Sequence, residues 1–183
     1  MACNITKGRA INCSDSIGGI VAAYFSDFGA YGSITEASDA ISDMDGTFTA
    51  FRYDVNGTGN SFTTTATVDK NNGTTFFSTS LSLTLPKLSK EDNAELKLLA
   101  FSRPMITVVD RNGNAFLLGK VNGNHLTSAT VATGDSRGDM SGYVFEFLCE
   151  EASAPDFING ATVANPFAGM SSATATITGG TNS

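Results

Sequence analysis

A hydrolytic triad needs a base, and the sequence holds one histidine, His125, in the short loop run VNGNH beside Asn124. A catalytic role for it is not expected. The run Asp110-Arg-Asn112-Gly-Asn114 opens like a calcium loop, whose alternating oxygen ligands would wrap a hard cation. Its sixth position is not glycine, however, and Val121 stands at the twelfth, where a bidentate glutamate belongs. Turn chemistry is the expectation there, as it is at Asp54-Val-Asn56-Gly and Asp69-Lys-Asn-Asn72-Gly. No phosphate-cradling G-x-x-x-x-G-K run and no Cys/His cluster occurs. No catalytic residue, no cofactor and no metal is expected.

The cysteines are Cys3, Cys13 and Cys149. An odd number without close pairs does not suggest a disulfide framework or a zinc site. Small thiols in a reducing cytoplasm are expected, with a Cys3–Cys13 clip as the open alternative. Arg137-Gly138-Asp139 is an adhesion tripeptide in other contexts, but in a glycine-rich run it is expected to be a turn. The sequons at Asn4, Asn56 and Asn72 matter only in an exported chain. No signal peptide and no membrane span are expected, since Asp15 interrupts the one apolar region near the start.

What remains is a scaffold. At 183 residues the chain is long enough for a substantial core. Charged residues make up 16%, below the ~25% usual for globular domains, so Ser and Thr must cover much of the surface. The net charge of −7 argues against gripping a phosphate backbone.

The clearest patterning runs from 72 to 119. Phe77, Leu81, Leu83 and Leu85 alternate with Ser or Thr at 78, 80, 82 and 84, which predicts a strand with one buried face. Ser89 then predicts a helix cap, with Glu91 and Asp92 in the first turn. The helix is expected over about 89–102, with Leu96, Leu99 and Phe101 on its apolar side and Arg103-Pro104 ending it. Asn112-Gly113 predicts a two-residue hairpin turn.

Elsewhere, residues 1–18 read as an irregular lead-in and 19–28 as a strand buried on both faces. Residues 29–46 read as a loop, with room for one helical turn near 36–41. The stretch 47–69 reads as one long hairpin. Phe51 and Tyr53 share a phase on its first arm, with a bulge near 50 to accommodate Phe48 and Ala50. Phe62, Thr64, Ala66 and Val68 share a phase on the second arm. Its other face, Thr63, Thr65 and Thr67, is β-prone and uncharged, so this edge invites another strand. Phe51, Tyr53, Phe62, Thr63, Thr65 and Thr67 are the assembly-interface candidates. Strands are also expected at 126–133 and 143–149, the latter with Tyr143, Phe145, Phe147 and Cys149 on one face. From 152 to 183 the residues are small, and Ser172–Thr178 lacks the bulk to anchor a last strand. The division is thus a β domain over 1–151 and an arm or flexible tail over 152–183.

With these residues in view, the chain resembles the tail tube and related virion structural proteins of tailed bacteriophages. The resemblance rests on DGTFTAFRYDVNGTGNSF, on the 72–119 stretch and on TGDSRGDMSGYVFEFLCEE, spans roughly residues 45–151, and extends to the opening MACNITKGRAINC. It implies a mainly β, antiparallel sandwich or partial barrel with one flanking helix. It also implies homo-oligomeric rings, usually hexamers, stacked with other tail and neck proteins into a tube that DNA traverses without specific binding. The implied location is the virion tail, after assembly in the host cytoplasm. A neck ring, tail terminator or capsid decoration subunit is the alternative within that group. A surface β-sandwich binding module using the Arg137–Asp139 turn is the alternative outside it.

Overall fold

In the computed structural model, residues 7–11 and 14–179 are described. The described elements are β1 (Ile20–Ser26), β2 (Ile34–Ala37), β3 (Ala40–Met44), β4 (Gly46–Asp54), β5 (Ser61–Asp69), β6 (Thr74–Pro86), α1 (Lys90–Leu99), β7 (Met105–Asp110), β8 (Ala115–Leu118), β9 (His125–Ala132), β10 (Gly142–Glu151), β11 (Asp156–Ile158) and β12 (Ala173–Gly179). They form two open sheets, one ordered β5-β6-β10-β9 and the other β12-β4-β1-β7-β8-β11-β3-β2. Neighbours are antiparallel, except that β12 runs parallel to β4 and β11 parallel to β3. Among the described residues the fold is a mainly β sandwich with one short helix and no closed barrel.

The alternation at 77–85 does what its period requires. Leu81, Leu83 and Leu85 of β6 face the larger sheet, and β10 brings Tyr143, Phe145 and Phe147 opposite them, with Leu83 across from Phe145. Phe25 from β1 closes the space between the sheets, its ring 5.5 Å from that of Phe147. Each such side chain contributes about 1.5–3 kcal/mol when fully buried. Helix α1 covers one end of this core through Leu99, with Leu96 packed beside it. Ser89 caps it as its sequence position predicts, accepting the Asp92 N–H at 3.0 Å. The helix ends at Leu99, short of 102, so Phe101 lies past its last turn and is 94% exposed.

The larger sheet is buried on both faces, which explains several departures from the expected layout. Its second face carries Tyr24, Ile41, Met44, Phe48, Ala50, Met105 and Leu117, closed over by Tyr31, Phe167 and Met170. Phe48 and Ala50 therefore need no bulge. The β1–β4 and β4–β12 registers run unbroken, and alternate β4 residues serve opposite faces of the sheet.

The expected hairpin over 47–69 does not form. Its first arm, β4, pairs with β1 and β12, whereas its second, β5, pairs with β6 in the other sheet. The 55–60 connection crosses between the sheets, held by Asn60, whose Oδ1 accepts the Thr84 N–H at 2.8 Å. The long hairpin is β5–β6. Residues 29–46, expected as a loop, hold the β2–β3 hairpin, turning through Ser38 and Asp39 at φ 56° and 60°. Ser-Asp in a turn with two left-handed positions lacks the Asn-Gly signature that would have announced it. At 110–114, Gly113 alone has positive φ (82°), and Asp110 N donates to Asn114 O at 2.9 Å. The connection is thus a three-residue loop with a glycine bulge.

The stretch beyond 152 joins the larger sheet. β11 lies between β8 and β3, and β12 lines the outer edge of β4. The small residues of β12 need no bulk, because its backbone pairs with β4 along seven residues.

Candidate functional site

The four-stranded sheet ends in two open edges of similar chemistry. Among the described residues, β5 (SFTTTATVD) and β9 (HLTSATVA) are its outermost strands, with no further strand paired beyond either. On β5, Thr63, Thr65, Ala66, Thr67 and Val68 are exposed, and on β9 the whole run Thr127–Val131 is exposed. The interior of neither strand carries a charge. Natural edges are usually protected by Lys, Pro, a bulge that twists the strand away or a covering element. Here one bulge, opposite Glu146 and Phe147 on β10, interrupts β9 near Thr127. Beyond it, Ser128–Ala132 runs in regular register with β10.

Between these edges lies a polar outward face. Its cross-strand rows are Ser61–Ser82–Glu146–Ser128, Thr63–Ser80–Leu148–His125, Thr65–Ser78–Glu150 and Thr84–Val144–Thr130. Glu146 and Glu150 are exposed, and none of the four strands contains Lys or Arg. The charged side chains on this face are thus acidic, with His125 at its margin. Glu151 belongs to the opposite phase. It is 7% exposed, and its carboxylate accepts the Val121 and Asn122 N–H groups at 2.6 and 3.1 Å.

The six interface candidates fall in different places. Thr63, Thr65 and Thr67 lie together on the outward side of β5. Phe62 points the other way, half-buried with its ring 5.1 Å from Phe116. Tyr53 is likewise half-buried against the core, edge-on to Phe25 at 4.9 Å, and burial pushes its phenol up to about 12. Phe51 is 47% exposed on β4. Phe51 and Tyr53 thus sit on a different sheet from the threonines, because β4 and β5 part company. The β9 edge was not among the candidates. Its signal was the composition it shares with β5: small, hydroxylated and uncharged.

The chemical candidates resolve into turns, except His125, which begins strand β9 instead of lying in the expected loop and is exposed. Residues 134–138 (GDSRG) match G-x-S-x-G in sequence. They lie in the loop between β9 and β10, not on a strand-to-helix elbow. Ser136 is separated from His125 by the full length of β9, roughly 25 Å at strand rise. Asp139 of the Arg137–Asp139 tripeptide folds back on this loop, accepting Asp135 N–H at 3.0 Å and Ser136 N–H at 2.7 Å. Those bonds, the one from Ser136 first, lower its pKa. The Asp110 carboxylate accepts the N–H groups of Asn112 and Asn114 at 2.9 and 2.7 Å and both of their side-chain amides. Its oxygens are engaged by the turn. Among the described residues no group of three or more His, Cys, Asp or Glu is placed to hold a metal, and no helix is long and apolar enough to cross a membrane. Cys149 is buried, and Cys3, Cys13 and the sequon at Asn4 lie outside the described residues.

No family model matches the sequence, and no curated protein matches it. Among solved structures, the fold is similar to a chain described as "Virion of native gene transfer agent (GTA) particle", with a TM-score of 0.38 and 13% identity over 58% of this chain and 88% of that one. A likeness that loose fixes no function.

Proposed function

We propose that this chain is a non-enzymatic structural subunit of a virion that assembles head to tail into rings, and that stacked rings form a tail tube through which DNA passes. The observation that carries the reading is the pair of open, uncharged edges on opposite sides of one small sheet. An edge on each side makes a heterologous contact, and repetition of such a contact gives a closed ring when the rotation closes. Joining β5 of one subunit to β9 of the next would continue the sheet around the ring and satisfy both rows of backbone groups. The outward face would then line either the lumen or the outside of that ring. Its hydroxyl groups, Glu146, Glu150 and lack of Lys and Arg suit a lumen along which phosphates slide without counterion-release affinity. The sequence resemblance over 45–151 supports tube over other assemblies and hexamers over other ring sizes.

Electron microscopy of the purified protein, alone and with its partner virion proteins, tests this directly. Rings or tubes are expected. A protein that stays a monodisperse monomer and is absent from virions overturns the reading. Copy number in the virion separates a tube, which needs many rings, from a connector, which needs one.

A further inference from the structure

Five Asn–Gly pairs punctuate the chain, at 56–57, 72–73, 112–113, 122–123 and 159–160. Asn–Gly is the dipeptide most prone to deamidation, because glycine leaves its backbone nitrogen unshielded beside the asparagine amide. In four of the five the structure restrains the reaction. Asn72 Nδ2 donates to Asp69 at 2.6 Å, and Asn122 Nδ2 donates to Glu150 O at 2.7 Å. Asn112 is held at both ends, Oδ1 accepting Ile17 N–H at 2.8 Å and Nδ2 donating to Ile17 O at 2.9 Å. At 159–160 the backbone is the restraint. Asn159 N donates to Ile41 O at 3.0 Å, and Gly160 packs so closely on Gly169 that a Cβ added there would stand 2.8 Å from the Gly169 Cα.

Asn56 differs. Its Oδ1 accepts the N–H of Gly57 itself at 2.8 Å, which folds the side-chain amide over the backbone nitrogen that attacks it. Among the described residues its side-chain amide makes no other hydrogen bond, and the Asn60 Nδ2 reaches only its backbone carbonyl, at 3.2 Å. Asn56, Gly57 and Thr58 are exposed to water, and Gly57 sits at φ 86° with nothing within 4 Å of where a Cβ would be.

We propose that Asn56–Gly57 is a spontaneous modification site, at which Asn56 converts to aspartate and isoaspartate. The Gly57 N–H loses its proton to base, and the nitrogen bonds to the Asn56 amide carbon. Ammonia leaves, carrying the amide nitrogen, and a succinimide closes. Water then opens either carbonyl, giving aspartate or, with the backbone rerouted through the side chain, isoaspartate. Each conversion adds one negative charge to the connection between the two sheets. The isoaspartate product also lengthens the backbone between buried Val55 and Gly57.

Trypsin separates the five sites, because Arg52, Lys70, Arg111, Lys120 and Arg137 fall between or beside them. The full chain, incubated at mildly alkaline pH and then digested, should show the amide-to-acid mass shift first in the 53–70 peptide. Its rate should exceed those of the peptides holding Asn72, Asn112 and Asn122 by roughly fivefold or more, the population factor for giving up one ordinary hydrogen bond. The N56Q variant should lose the shift in that peptide, since a glutamine must close a larger ring. The D69A variant, which releases the Asn72 amide, should speed the shift in the 71–87 peptide. Conversion of Asn72, Asn112 or Asn122 at the same rate as Asn56, or faster, overturns the proposal. So does a 53–70 peptide that stays unconverted while another shifts.

Discussion

Ser171 donates its hydroxyl to Asp43 at 2.6 Å and its backbone N–H to the same carboxylate at 2.9 Å, tying β3 to the entry of β12 across 128 residues of chain. Ser172 adds its own hydroxyl and N–H at 2.9 and 3.2 Å. The Ser171 hydroxyl first, then the Ser172 N–H and hydroxyl, hold the Asp43 carboxyl well below the usual carboxylate range. A depressed folded-state pKa contributes stability above the unfolded value and loses it as pH falls through the folded one. The latch should therefore persist at neutral and mildly acidic pH and release only under strong acid. At neutral pH, D43A should speed hydrogen exchange in 173–179 while leaving β6 and β10 protected. Unchanged exchange in β12 would show that strand pairing with β4 holds it without the latch.

The two open edges predict a mixing experiment. Lysines at Thr63 and Thr65 should block polymerisation through β5 while the monomer stays folded. Lysines at Ser128 and Thr130 should do the same through β9. Mixed together, the two variants keep one sound edge each and should form a single junction, giving heterodimers by light scattering or native mass spectrometry. Tubes from either variant alone would rule out these edges as the polymerising surfaces.

Lys120 joins three distant segments, its ammonium reaching Glu36 at 2.5 Å and the carboxylate of Asp156. Burial alone would lower its pKa, but the hydrogen bonds to Asp156 and Glu36 outweigh that and leave it raised. Its contribution is therefore complete at neutral pH and fades as pH rises through that raised value. K120M should cost about 2 kcal/mol, the usual worth of a charged hydrogen bond. In a chain this size that lowers Tm by roughly 4–8 °C. A Tm within experimental error of the parent would mean that the contact is screened away.

Removing the Ser89 cap should be milder. S89A leaves the carbonyl that accepts the Tyr143 hydroxyl at 2.9 Å and deletes only the Oγ contacts to Asp92. About 1 kcal/mol is expected, or roughly 2–4 °C in Tm, read by thermal unfolding. A loss several times larger would mean that α1 unfolds as a unit.

Cys149 is 3% exposed, and burial, aided by the charge of Glu151, pushes its thiol up to about 12. Since the thiolate is the reactive form, iodoacetamide should leave Cys149 unmodified in the folded protein and label it after denaturation. Labelling of the folded chain at neutral pH would contradict both the burial and the shift.

Much of the framework was legible because it depends on local rules. The period of two in β6 and β10 set which side chains turn inward, and the register Leu83↔Phe145 shows both strands obeying it. The Ser89 cap and the acidic first turn located α1 to within a few residues. The uncharged threonines of β5 marked an exposed edge before any partner strand was known. What the sequence could not specify was which strand lies beside which. Period two fixes the face of a residue and is blind to its neighbour across the sheet, so β4 and β5 looked like one hairpin although each pairs elsewhere. That choice was made by the larger sheet, whose second core around Tyr24, Phe48 and Phe167 draws β4 to β1 and leaves β5 to β6. The fate of β12 was hidden for the same reason, since its anchorage comes from the β4 backbone and the Asp43 carboxylate rather than from its own side chains. Local sequence determined the strands and their inward faces. Tertiary structure, through burial on both sides of one sheet, decided which edges were left open.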